Sequence, residues 1–146
     1  MILCLLTGLP IMLLCLLLQG GFLAMCLRQY VRFRHAEQSH DSLGRNALLL
    51  GLVMLVMLLG NFVQTAIWAA LFLYLGEFDT FEKALYFSGV NFATLGYGDI
   101  VMTEKWRLLG PMEAAHGILM FGVSTAVLTG AVMDVIKQAK GRRHGH

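Results

Sequence analysis

The chain has 146 residues, of which 58% are hydrophobic and only 14% charged, with a formal net charge of +2. That balance excludes a soluble globular domain and fits a membrane protein, and no nucleic-acid partner is expected. Apolar stretches cover residues 1–27, 46–75 and 108–136, and each exceeds the roughly 20 residues a bilayer-crossing helix needs.

The first stretch has no basic leader, and its apolar run is too long for a cleaved signal. It reads as a retained transmembrane helix over 1–27. Cys4, Cys15 and Cys26 recur in it every eleven residues, which brings them near one helix face. They read as small apolar side chains on a packing or lipid face, since an odd count within a membrane makes no disulfide framework. Residues 28–45 form a basic connector with Arg28, Arg32, Arg34 and Arg45 and the aromatics Tyr30 and Phe33. It reads equally as an amphipathic helix on an anionic lipid surface or as a solvated link.

The outer helix of the next unit is expected over 46–76, longer than the bilayer requires and therefore tilted or projecting. Asn61, Gln64 and Thr65 share one of its faces. Amides in hydrocarbon need partners, so that face should pack against another helix. A short helix over 80–93 follows, with Asp79 and Glu82 in a capping-box pattern. It cannot span a membrane. An element that enters and returns accounts for it, because irregular backbone at membrane depth must be buried in protein or line a water-filled cavity. The negative end of its dipole then lies beside residue 94.

Residues 94–99 read Thr94-Leu95-Gly96-Tyr97-Gly98-Asp99. A T-x-G-Y-G-D run arises by chance on the order of once in ten thousand chains of this length. Alternating glycines can take positive φ and turn successive carbonyls to one side, and a threonine hydroxyl adds one more oxygen. Such oxygens can replace the water around a cation. An inner helix over 108–137 follows, with Pro111 in its first turns, where proline is tolerated, and a basic tail over 138–146 ends the sequence.

Charge sets the orientation. The connector and the segment after the third span, with Lys137, Lys140, Arg142 and Arg143, are basic. The loop between spans two and three carries Glu77, Asp79, Glu82, Asp99 and Glu104 against Lys83, Lys105 and Arg107. The positive-inside rule places the connector and C-terminus in the cytoplasm, and the N-terminus and residues 94–99 outside.

The motif and its surroundings over residues 80–135 resemble the pore unit of potassium channels, whose filter carries this signature. The resemblance implies an all-α membrane protein with three transmembrane helices, a re-entrant pore helix and a filter loop, assembled as a homotetramer. The pore domain would be 46–137, and the helix at 1–27 is extra to it. Thr94, Leu95, Gly96 and Tyr97 would bind K+ through four backbone carbonyls and the Thr94 hydroxyl. Gly98 would complete the turn, and Asp99 would form an acidic ring at the mouth. Gly117 falls on the family's hinge glycine and Gly122 on the next small position, while Ile118, Phe121, Thr125, Thr129 and Met133 fall on the cavity-lining face.

There are departures from the pattern. Leu95 stands where valine or isoleucine is common. Tyr86 and Phe87 replace two tryptophans that brace the filter, and Phe87 cannot donate a hydrogen bond to Tyr97. Ala93 replaces a hydroxyl residue. Val90 replaces a glutamate, which leaves Asp99 to find another partner, Tyr86 being the candidate. Glu113 and His116 lie three apart in the outer half of span three. They read either as a proton sensor or as hydrogen-bonding groups that hold the helices together.

The expected function is passive K+ conduction across the plasma membrane, with K+ as cargo and no cofactor. The partners expected are three further copies of the chain and membrane lipid, anionic lipid at the basic segments included. A weakly selective monovalent cation channel and a non-conducting membrane subunit are the alternatives. No span repeats Arg or Lys every third position, so strong voltage gating is not expected. No nucleophile-base pair, zinc spacing or phosphate loop points to an enzyme, and His144 and His146 read as solvated tail residues.

Overall fold

The computed structural model describes residues 1–35 and 43–143, and their secondary structure is entirely helical. Four helices follow in order: α1 (Ile2–His35), α2 (Leu43–Tyr74), α3 (Phe81–Phe92) and α4 (Leu109–Arg143). Three are long and apolar enough to cross a membrane, over Ile2–Gln29, Ala47–Tyr74 and Leu109–Lys137. Each such stretch rises about 42 Å at 1.5 Å per residue, more than the roughly 30 Å of hydrocarbon, so all three must tilt or project. The protein is an all-α membrane protein.

The basic connector does not begin with a break at residue 28. Residues 28–35 continue α1, because no glycine or proline interrupts them and arginine extends a helix readily. The rest of the connector, the side chains of Tyr30 and Phe33, and His144 and His146 lie outside the described residues.

α2 is the element around which the others pack. Its polar face meets all three neighbours. Gln64 Nε2 donates to Gln19 Oε1 of α1 at 2.6 Å. Asn61 Nδ2 reaches Ser124 Oγ of α4 at 3.5 Å. The carbonyl of Thr65 accepts from Ser88 Oγ of α3 at 2.7 Å. In hydrocarbon the helices gain no hydrophobic drive from one another, so close packing and such interhelical bonds hold them together.

α1 is seated on its cysteine face, where Cys4, Cys15 and Cys26 are all buried. Gly60 lets it come close, since an added Cβ would stand 2.9 Å from Gln19 Oε1. Cys4 Sγ lies 3.3 Å from the carbonyl of Lys105. The start of α1 therefore sits at the end of the bundle where the chain returns from residues 94–99 to α4.

The core at that end is aromatic. Trp68 and Phe72 of α2 are fully buried. Phe87 of α3 meets Phe72 edge-on at 5.5 Å and Phe78 at 5.0 Å between ring centroids. Pairs of this kind each contribute about 0.5–1.5 kcal/mol beyond area burial. They fix α3 against α2, and the loop that follows α3 is positioned by them.

Candidate functional site: the loop after the short helix

α3 begins one residue later than the capping pattern suggests. Thr80 is the N-cap, with φ −134° and ψ 148°, and its hydroxyl accepts from Lys83 N–H. Asp79 stands one position too early to reach the free amides of the first turn. It pairs instead with Lys83 Nζ at 3.6 Å on the exposed surface.

The end of α3 launches the loop. Thr94 N–H bonds the carbonyl of Asn91 at 2.8 Å, and Leu95 N–H bonds that of Val90 at 2.8 Å. These two bonds make a Schellman motif, whose turning residue is left-handed and usually glycine. Here it is Thr94, with φ of 58°. Gly96 (φ 59°) and Gly98 (φ 73°) repeat the left-handed conformation, and neither Leu95 nor Tyr97 shares it. The alternation foreseen for the glycines thus begins a step earlier, on a β-branched residue. The signal was the spacing, 94, 96, 98, but residue type pointed away from it.

Within one chain the loop is uncovered from Thr94 to Asp99. Leu95 is 54% exposed and Tyr97 65%. Tyr86 OH donates to Asp99 Oδ2 at 2.7 Å, and this bond pushes the phenol's pKa above its ordinary value. A cavity of about 400 Å³ lies behind the loop, lined by Tyr86, Phe87, Val90, Gly96, Gly98 and Asp99 among others. Phe87 borders that cavity, yet its ring is committed to the aromatic core. Its main contacts are therefore not with the loop.

α4 passes behind the end of α3. It is helical throughout, Gly117 and Gly122 included. Gly117 lies against the carbonyl of Phe92, and a Cβ there would overlap it; Gly122 faces open space. The two glycines therefore differ, the first permitting a close crossing and the second not requiring one. Ile118, Phe121, Thr125, Thr129 and Met133 are all exposed along the helix. Thr125 and Thr129 turn their hydroxyls back to the carbonyls of Phe121 and Thr125, at 2.8 and 2.9 Å.

Glu113 and His116 are fully buried on the opposite face, toward α2 and α3. Glu113 Oε1 is hydrogen-bonded to Ser88 of α3. His116 Nδ1 accepts from Trp68 Nε1 at 3.1 Å. This nitrogen is therefore the unprotonated one, which leaves any proton of the neutral ring on Nε2. Ser88 and Trp68 carried no signal in the sequence. Together the four side chains tie α2, α3 and α4 immediately behind the loop.

No curated protein and no solved structure matches the chain significantly. A family described as an ion channel matches residues 61–134, just over half of the chain. The match runs from the polar face of α2 through α3 and the loop to the later turns of α4, and so takes in every element that positions Thr94 to Asp99. The chain belongs to this ion-channel family.

Proposed function

We propose that the protein is a potassium channel in which four copies surround one axis and K+ crosses through residues 94–99. One observation carries the reading. In a T-x-G-Y-G-D loop of an ion-channel family member, the backbone alternates in hand at Thr94, Gly96 and Gly98. That alternation is how successive carbonyls are turned to one side. The uncovered Leu95 and Tyr97 fit a wall that is completed by neighbouring copies.

In this reading a hydrated ion waits in a cavity lined by Ile118, Phe121, Thr125, Thr129 and Met133. The C-terminal end of α3 lends it negative potential. The carbonyls of Thr94, Leu95, Gly96 and Tyr97 and the Thr94 hydroxyl then replace its water. Gly98 closes the turn, and Asp99, held by Tyr86, forms the acidic rim. Gly117 and Gly122 are the points at which the inner helix bends. The filter and N-terminus face outward across a plasma membrane, and Arg28, Arg32 and Lys137 meet anionic lipid at the cytoplasmic surface. K+ is cargo, and no cofactor or catalytic step is invoked.

The test is a K+-gradient flux assay on reconstituted protein, with Gly96→Ser as control. Flux that collapses in the variant supports the reading. Equal flux in both sinks it. A weakly selective cation pore is the second reading, favoured by the burial of Phe87 in the core, which leaves the bracing of the filter to Tyr86 and Val90. Reversal potentials in K+ against Na+ separate the two, and silent purified tetramers would instead mark a non-conducting subunit.

Glu113 and His116 are proposed to couple proton binding to the filter, because their partners Ser88 and Trp68 sit on the helices that hold it. Glu113→Gln and His116→Ala should each shift the pH dependence of flux. Unchanged curves in both retire the sensor and leave a purely structural junction.

A further inference from the structure

The loop is fastened at its start by the cap of α3 and farther along by Tyr86 on Asp99. A third fastening holds its far end. α2 closes in a Schellman motif of its own: Gly76 takes φ of 75°, its N–H bonds Leu73 O at 3.0 Å, and Glu77 N–H bonds Phe72 O at 3.1 Å. Phe78 then drops into the aromatic core. Glu77 therefore stands on a backbone pinned on both sides.

From that position its carboxylate reaches the segment that returns from the filter. Glu77 Oε2 accepts the backbone N–H of Thr103 at 2.7 Å, and Oε1 accepts the Thr103 hydroxyl at 2.7 Å. Both bonds are short and charge-assisted, and the two together fix direction as well as distance. The carbonyl of Thr103 in turn accepts the N–H groups of Trp106 and Arg107, at 3.1 and 2.9 Å, and so opens the turn into α4. Met102 and Trp106 on either side are buried. The stretch from Asp99 to Thr103 is thus held between two carboxylates, one in the loop that Tyr86 grips and one outside it that grips the loop.

We propose that Glu77 is the far anchor of the filter, a positioning residue whose hold on Thr103 sets the spacing of the outer carbonyls and with it the preference for K+ over Na+. The inference rests on the channel reading. Whether selectivity comes from cavity size or from the number and field of the carbonyls, it depends on how far those oxygens can move. A return segment released at Thr103 lets the outer oxygens follow a smaller ion inward.

The test is the K+/Na+ permeability ratio of reconstituted variants. E77Q keeps the side chain's size and loses its charge, and should lower the ratio about tenfold, the scale on which one charge-assisted hydrogen bond acts. T103V removes only the hydroxyl bond and should lower it less. T103S keeps both bonds and should match the unaltered protein, as should E82Q, which alters an exposed carboxylate on α3. E77Q with T103V should be no worse than E77Q alone. If E77Q does not assemble, the contrast between T103V and T103S decides. A ratio within about twofold of the unaltered value in E77Q and T103V, with tetramers intact, overturns the anchor and leaves the channel standing. An unaltered protein that passes no K+ overturns the channel reading instead. The anchor is then judged by amide exchange over residues 99–103, and exchange that E77Q does not accelerate overturns it as well.

Discussion

Thr94 holds a left-handed conformation that a β-branched residue adopts only when its surroundings impose it. Such a residue stores about 1–3 kcal/mol. Two backbone bonds of the α3 cap and the close crossing of α4 at Gly117 hold it there. Thr94→Gly should therefore raise the thermal stability of the assembled protein by about 1 kcal/mol, and on the proposed K+-binding role of its hydroxyl should also weaken K+-dependent stabilisation. Melting curves in K+ and in Na+ check both parts, and a variant that melts lower in both salts contradicts the strain argument. Gly117→Ala should do the opposite. Its methyl would meet the Phe92 carbonyl, backbone that cannot swing aside, so overpacking of about 1–3 kcal/mol should displace α3 and abolish flux.

Tyr86 adds a pH dependence at the same scale. Its phenol is held above its ordinary value chiefly by the hydrogen bond to Asp99. A raised folded-state value means that the folded protein binds the proton more tightly than the unfolded chain does. The contribution is complete below the ordinary phenol value of about 10 and is lost as pH rises through the folded value. Tyr86→Phe should accordingly lower the neutral side of the stability profile, where the contribution is present, and leave the strongly alkaline side little changed, so that the profile flattens. Melting temperatures between neutral and strongly alkaline pH give the comparison.

At the scale of elements, α1 is locked to the pore unit by more than apolar contact. Gln19 is buried, accepts from Gln64 and donates to Met57 Sδ at 3.6 Å. Gln19→Leu leaves the Gln64 amide in hydrocarbon without its acceptor, at about 1–3 kcal/mol. Gln64→Leu does the reverse, and the double variant should recover most of either loss. A cycle in which the two losses simply add would show that the amides do not act as a pair. Much of this architecture was legible beforehand. Amides at 61 and 64 in an apolar run had to find partners, and so α2 had to be packed on that face. The partner was not legible, because the register of Gln19 and Ser124 against α2 depends on where the helices cross.

For the whole molecule, the expectation is a four-chain assembly in lipid. Native mass measurement or cross-linking should find tetramers, and a monomer in bilayers would leave Leu95 and Tyr97 without the neighbours that the channel reading requires. Length and hydropathy alone determined that the chain has three segments able to cross a membrane, and the resemblance carried by the motif implied a fold of helices. The six residues from Thr94 to Asp99 marked the place where, in the proposed channel, a cation sheds its water. These properties are local, set by run length and by the backbone freedom of glycine. Which contacts surround that place was decided only in three dimensions: Glu77 on Thr103, Ser88 on Glu113, Trp68 on His116, and a threonine made to turn where glycine is usual. Each of these joins residues from separate elements or bends one residue against its own preference. Only helix packing brings those elements together, and no sequence pattern records the angle at which two helices cross.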